Sequence, residues 1–410
     1  MLVPKTLLLF FFLLIVFVSG SSTSPLNDKT EEETSKNPIV IIPGCMGSKL
    51  EAKLTDHKKK HWWCSSNKDW FLLWINVELF VPELIECAGD YMQLEWDGKA
   101  IQYQKGIDYR LVPGLEGIQY LQPTLWFVEK YFHKMIEEFK NEGYQEGRDL
   151  FGLPYDFRMG PNNLTTWFKE VKSYIETAYN INNKKVNVIT HSMGGKLFNY
   201  FMAQKEITKE WKATYVSKWI PIAPAWGGAF ETIEELIWGM NFGDILVKKT
   251  EYRPFERSFP MSYYLLPIEN VDWSEPIIVT PQKNYMATLP DYLEMMNALD
   301  LPQSSKDLAT TQWEQMNVID PPMVPTYILY GTGVDTNCQV EYSDYLGSDN
   351  YKIKTCSGDG TVSDVTVVAL CEDWKDDHFV SCEGFKDREH VSIVEDDDII
   401  NRVNSLVKQD

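Results

Sequence analysis

Histidine is scarce in this chain, six in 410 residues, and no Cys-x-x-Cys pair or His/Cys cluster stands at a zinc-ligand spacing. Without such clusters there is no ligand set for a metal, so no metal and no other cofactor is expected. Basic residues are also short, 39 lysines and arginines against 59 aspartates and glutamates, for a net charge of −20. A surface of that sign repels nucleic acid and strongly anionic membranes, so no nucleic-acid partner is expected. Beyond residue 20 no apolar run is long enough to span a bilayer. Internal repeats and low-complexity tracts are missing too, which argues against arrays and disordered linkers.

What is present is core material, 44% hydrophobic and 13% aromatic residues, enough for one large domain. Residues 1–20 read as a secretory signal peptide: Lys5 charges the start, 7–18 is the apolar run, and Val18, Ser19 and Gly20 form a small-residue cleavage site. A polar, flexible segment (21–37) follows, and 38–410 is the folded domain. Seven cysteines in a secretory-pathway protein imply disulfides and an odd thiol. Spacing suggests Cys64 with Cys87. Cys338, Cys356, Cys371 and Cys382 supply two more bonds in any of three pairings, which leaves Cys45 single. Asn163, with Leu164 and Thr165, is a glycosylation acceptor. These features place the protein in the secretory pathway, either secreted or in a lysosomal or vacuolar lumen.

The sharpest motif is Thr190-His191-Ser192-Met193-Gly194, which follows the β-branched run 186–189 and precedes a helical stretch beginning near Lys196. A strand, a sharp turn and a helix in that order lift a nucleophilic serine above an α/β-hydrolase sheet. Gly194 and Gly195 supply the small residues on the helix side, while Thr190 stands where the motif usually has its first glycine.

A serine hydroxyl needs an imidazole to take its proton, and the imidazole needs a carboxylate to fix its tautomer. In this fold the chain order is serine, acid, histidine. Only His378 and His390 follow Ser192; His378 sits in a charged run, whereas His390 precedes the apolar Val391, Ile393 and Val394 and is the expected base. Asp359, bracketed by Gly358 and Gly360, is the expected acid. Backbone N–H groups of Met46, in the loop after the first strand, and of Met193 would hold an oxyanion.

Expected strands at 38–42, 186–190, 219–223 and 326–330 alternate with helical stretches. Phe132, Met135, Ile136 and Phe139 share one helix face, and so do Leu164, Trp167, Phe168, Val171, Tyr174, Ile175 and Ala178. Alternation of this kind predicts an α/β fold with a mainly parallel sheet. Residues 228–325 break the rhythm and read as a cap inserted into the core.

Several motifs together carry a resemblance: Pro43-Gly44-Cys45-Met46-Gly47-Ser48-Lys49-Leu50, the 74–87 region, Pro154-Tyr155-Asp156-Phe157-Arg158, His191-Ser192-Met193-Gly194, Tyr330-Gly331-Thr332-Gly333 and Gly358-Asp359-Gly360-Thr361-Val362. In their content and order the chain resembles the lecithin:cholesterol acyltransferase family, from about residue 38 to the end. The resemblance implies an α/β-hydrolase core, with Ser192, Asp359 and His390 as the triad and Met46 and Met193 as oxyanion donors. It also implies that Cys64 and Cys87 close a membrane-binding excursion at 58–95, where Trp62, Trp63, Trp70, Phe71, Trp74 and Phe80 offer apolar, interface-seeking surface. A lid is implied at about 238–259, within the cap. Two departures from the family pattern accompany Thr190: the segment Ala223-Pro224-Ala225-Trp226-Gly227-Gly228 has one extra residue, and Ile328 stands where the family has the disulfide partner of Cys371.

The implied activity is that of an interfacial serine acyltransferase or phospholipase. It would act at a phospholipid membrane or lipoprotein surface and pass an acyl group from glycerophospholipid to water or to a sterol or other lipophilic alcohol. Both outcomes use the same residues, so the motifs do not separate them, and none encodes a protein activator. The competing expectations are a catalytically silent lipid-binding protein and a neutral-lipid lipase or carboxylesterase.

Overall fold

Ile39–Ile42 and Val186–His191 are rich in β-branched residues and buried at every position, so each must lie inside a sheet covered on both faces. The computed structural model describes residues 36–76, 78–79, 81, 83–120, 130–239, 249–271, 273, 275–375 and 380–409. In it the two strands pair in parallel, Val40 opposite Val188, near the middle of a six-stranded sheet. The order is Val380–Lys386, Thr326–Thr332, Val216–Ile222, Val186–His191, Ile39–Ile42 and Leu150–Gly152, with every pairing parallel. All four expected strands are present, their ends shifted by a few residues.

Alternation along a strand sends successive side chains to opposite faces. Val40, Ile42 and Val188 join one core, which includes Val171, Ile175 and Ala178 of helix Thr165–Asn182. Ile39, Ile41 and Ile189 join the other, with Met135, Ile136 and Phe139 of helix His133–Asn141 and Ile399 and Val403 of helix Asp397–Val407. Burying each of the large aliphatic side chains contributes about 1.5–3 kcal/mol. Tyr174 departs from its expected stripe, 39% exposed at the margin of the helix.

The first excursion leaves after Ile39–Ile42. Strands Lys68–Trp74, Leu50–Leu54 and Ile107–Leu111 make a small antiparallel sheet, and helix Ile85–Met92 is tied to it by the Cys64–Cys87 disulfide. The second is largely helical, with Glu231–Ile237, Lys249–Glu256, Pro260–Tyr264, Leu289–Ala298 and Gln303–Met316. Much of the expected lid, 240–248, lies outside the described residues, as do 1–35, Phe80 and His378.

A hairpin, Val334–Tyr342 with Tyr351–Gly358, follows the core strand Thr326–Thr332 and delivers the chain to Asp359. Among the four later cysteines only one expected bond is formed, Cys371–Cys382, and Cys338, Cys356 and Cys45 are free thiols. Ile328 lies opposite Cys382 in the parallel register. The partner of Cys371 has therefore moved one strand sideways, to the sheet edge.

The Asp156–Arg158 motif joins both excursions to the core. The buried Arg158 guanidinium donates to both Asp156 carboxylate oxygens, at 2.9 and 2.7 Å, and to the Met92 carbonyl at 3.0 Å. The Arg158 carbonyl accepts the N–H of Met261, in the cap, at 3.1 Å. Removing one member of such a pair strands a buried charge. Asp156→Ala should therefore lower unfolding stability by about 3–5 kcal/mol, read as a fall in the urea midpoint; a loss below about 1 kcal/mol would mean that solvent already screens the pair.

Candidate active site

Helix Met193–Met202 starts immediately after strand Val186–His191, three residues earlier than expected from sequence. The single residue between them, Ser192, takes φ 52° and ψ −126°, a region side-chain-bearing residues rarely occupy. Two close approaches enforce the turn. A Cβ on Gly194 would lie 2.2 Å from the Pro43 carbonyl oxygen, and one on Gly44 would lie 2.8 Å from Ser192 Cβ. Thr190 is tolerated in place of glycine because its buried hydroxyl accepts the Trp219 indole N–H at 2.9 Å.

Three sequence-expected side chains come together at this turn. His390 Nε2 is 2.8 Å from Ser192 Oγ, and His390 Nδ1 is 2.7 Å from Asp359 Oδ2. The carboxylate is oriented from behind: Asp359 Oδ1 accepts the N–H groups of Thr361 at 3.1 Å and Val362 at 2.7 Å. An acceptor-only carboxylate at Nδ1 fixes the tautomer, with the proton on Nδ1 and Nε2 free to accept from Ser192. Met46, at φ 57°, lines the same cavity as Ser192, and Met193 is the first helical residue after it.

Sequence reasoning missed a second network behind the first. The Tyr131 hydroxyl accepts the Gly44 N–H at 2.7 Å and lies 2.5 Å from His191 Nδ1, while His191 Nε2 is 2.8 Å from the His390 carbonyl. The pattern requires a neutral His191 that donates from Nε2 and accepts at Nδ1. Burial and the neighbouring His390 push its pKa well down, in keeping with that state. His191 was visible beside the nucleophile, but nothing near Tyr131 in the sequence marks it.

The cavity, about 250 Å³, is lined by Cys45, Met46, Trp74, Ile75, Met261 and Leu265 among others. It also holds two acids that no motif signals, Glu231 and Glu235. Glu231 Oε1 accepts the Thr361 hydroxyl at 3.2 Å, and burial pushes its carboxyl up to about 7. Burial raises Glu235 as well. Burial alone would lower His390, but the Asp359 carboxylate and then Glu231 more than offset it, and the imidazole is raised.

The aromatic residues of the first excursion separate. Trp62 and Trp63 are 83% and 44% exposed, Trp70 and Phe71 are half-buried, and Phe80 lies outside the described residues. Trp74 is corrected: 3% exposed, it lines the cavity, and its indole N–H donates to the Met46 carbonyl at 2.8 Å. Its strand ends beneath the loop that carries Met46, which turns it inward. Asn163 is exposed at the end of a 3₁₀ turn.

A parallel sheet flanked by helices, with a serine at a strained strand-to-helix turn, defines the α/β-hydrolase class. A solved structure, the Tle4–Tli4 complex, shares the fold with TM-score 0.54 over 92% of this chain and 98% of its own, at 12% identity. The family profile for lecithin:cholesterol acyltransferase matches residues 70–317. The lysosomal phospholipase A and acyltransferase of Canis lupus familiaris is 33% identical over 87% of this chain and 88% of its own, and the phosphatidylcholine-sterol acyltransferase of Gallus gallus 28% identical over 90% and 88%. The chain belongs to the lecithin:cholesterol acyltransferase family, a family of enzymes.

The geometry sets a pH dependence. If His390 is to take the Ser192 proton it must be neutral, and rate then falls as pH drops through the His390 pKa. An ionised Glu231 stabilises the imidazolium and holds that limb at higher pH. Glu231→Gln should move the acid limb of kcat/KM on a soluble p-nitrophenyl ester to lower pH; a limb that stays, or moves up, would show that Glu231 carries no charge where His390 titrates.

Proposed function

We propose that this protein is an interfacial serine acyltransferase and phospholipase that takes a fatty acyl group from glycerophospholipid. The observation that carries the reading is the Ser192–His390–Asp359 relay at the head of a largely apolar cavity, in a chain of this family. His390 takes the hydroxyl proton as Ser192 Oγ attacks the ester carbonyl. The oxyanion is held by the N–H groups of Met46 and Met193, each donor of this kind contributing about 3 kcal/mol to the transition state. Asp359 stabilises the imidazolium, which returns the proton to the departing lysolipid. The acyl-serine then passes its acyl group to water or to an alcohol, whose proton His390 takes in turn. A silent lipid binder would have no use for this relay.

The membrane-facing surface in this reading is the 58–95 excursion, with Trp62 and Trp63 at its tip. Two adjacent, exposed indoles suit the lipid headgroup layer, and the Cys64–Cys87 disulfide holds the segment that carries them. No described helix is long and apolar enough to cross a membrane, so peripheral contact is the mode proposed. A lumenal or secreted location and a sugar on Asn163 belong to the same reading.

Two experiments bear on it. On phosphatidylcholine vesicles, Ser192→Ala should keep its fold, checked by circular dichroism, and lose at least about 10³-fold in acyl release; retained release would assign the chemistry elsewhere. The Trp62→Ser/Trp63→Ser double variant should lose more activity on vesicles than on a soluble ester. Equal losses on the two substrates would remove these residues from the membrane surface.

A further inference from the structure

Two carboxyl groups are an odd lining for a cavity that receives an acyl chain. Glu235 projects from helix Glu231–Ile237, one turn beyond Glu231, and both line the cavity that holds Ser192 and His390. Glu235 is 3% exposed, and its Oε2 has no hydrogen-bond partner among the described residues. Its other contacts are the Ser262 hydroxyl and the negative charge of its neighbours Glu231 and Glu234. Among the described residues no cation offsets it. Burial raises both acids, so at mildly acidic pH each is a neutral carboxyl that can donate and accept.

An unpaired buried polar oxygen in the cavity that holds the reacting atoms points to a group that arrives with the substrate. The alcohol that takes the acyl group must place one hydroxyl between the acyl-serine and His390. That hydroxyl gives its proton to His390 Nε2 while its oxygen bonds to the acyl carbon, and the Ser192 Oγ–acyl bond breaks as Oγ takes the proton back. A sterol or a simple long-chain alcohol has then used its only hydroxyl and presents carbon to Glu235. An acceptor with a second hydroxyl can pair with the carboxyl.

We propose that Glu235, supported by Glu231, is a specificity-determining residue that selects a polyhydroxylic acceptor, the glycerol hydroxyls of a monoacylglycerol or of free glycerol, over a sterol or mono-alcohol. The inference rests on the acyl-serine reading above and names the acceptor class of that same site.

The test is a competition assay at pH 5.5 on phosphatidylcholine vesicles. Monoolein, hexadecanol and cholesterol are present at equal mole fraction, with free glycerol added to the water in a parallel arm, and acylated acceptors are resolved by mass spectrometry. Wild-type protein should acylate monoolein about tenfold or more in preference to hexadecanol and cholesterol, the factor for one hydrogen bond to a buried partner. Glu235→Leu should bring that ratio close to one, and Glu235→Gln, which keeps a donor and an acceptor, should restore most of it. Acylation of glycerol in the parallel arm would support the same site with an aqueous source. The wild-type ratio needs no variant to fold, so a misfolded Glu235→Leu leaves the test intact. Hexadecanol or cholesterol acylated as well as monoolein, or a ratio that Glu235→Leu leaves unchanged, would overturn the assignment. Absence of any Ser192-dependent product, hydrolytic or transferred, would instead remove the acyl-serine reading and the acceptor assignment with it.

Discussion

The site depends on one close contact between backbones, the passage of Pro43–Gly44 over the Ser192 turn. Holding a serine at positive φ costs on the order of 1–3 kcal/mol and persists only when the surroundings over-determine it. Here they do. Ser192 N–H donates to Ile222 O at 3.0 Å, and Ser192 O accepts Gly195 N–H at 2.9 Å. Tyr131 and His191 bind the loop and the His390 backbone to the same turn. The proposed nucleophile, oxyanion loop and base are therefore three chain segments fastened at one point. The extra residue in 223–228 is accommodated nearby: Ala223 takes φ 45° and donates to Leu329 O at 2.7 Å, so the chain turns out of the sheet at the end of Val216–Ile222.

Three buried carboxyl groups around the site differ in how they are satisfied, and the difference bears on their roles. Asp359 accepts two backbone N–H groups besides that of the imidazole, so both its oxygens are paired. Glu231 has a single threonine hydroxyl, and Glu235 keeps an oxygen unpaired. Burial raises Glu231 and Glu235, which have few donors to offset it. Acids of one chemical type are thus divided by environment: one orients the imidazole, and two gain or lose a proton near neutral pH.

The parts legible in the sequence are those set by local pattern. Runs rich in β-branched residues marked the central strands, and 3.6-residue periodicity marked two covering helices. Ser192, Asp359 and His390 were legible because turn chemistry and chain order constrain them together. Tyr131 was not, because its partners Gly44 and His191 lie 87 and 60 residues away. Glu231 and Glu235 read as an ordinary charged helix face until the cap folds them inward. Trp74 looked like membrane surface because composition does not say which way a side chain on a half-exposed strand points; the pleat turns it toward Met46. Cys371 reaches Cys382 because helix Asp364–Trp374, which carries it, packs on the edge strand Val380–Lys386, a contact that spacing along the chain does not encode.

Arg158 bears on how a membrane-bound form of this protein would reach its substrate. It grips Met92, at the end of the excursion's helix, and through its own carbonyl it holds Met261, whose side chain lines the cavity. Its bidentate, largely buried pair with Asp156, two residues away in the same loop, holds the guanidinium rigidly in place for these contacts. The excursion and this edge of the cap are therefore both fastened to one rigidly held core residue. If Trp62 and Trp63 settle in the headgroup layer, that rigidity fixes the height and tilt of Ser192 above the bilayer before any lipid enters. A phospholipid then meets a preset entry angle, and the binding energy of its acyl chain goes into placing the ester carbonyl at Ser192 rather than into ordering the protein.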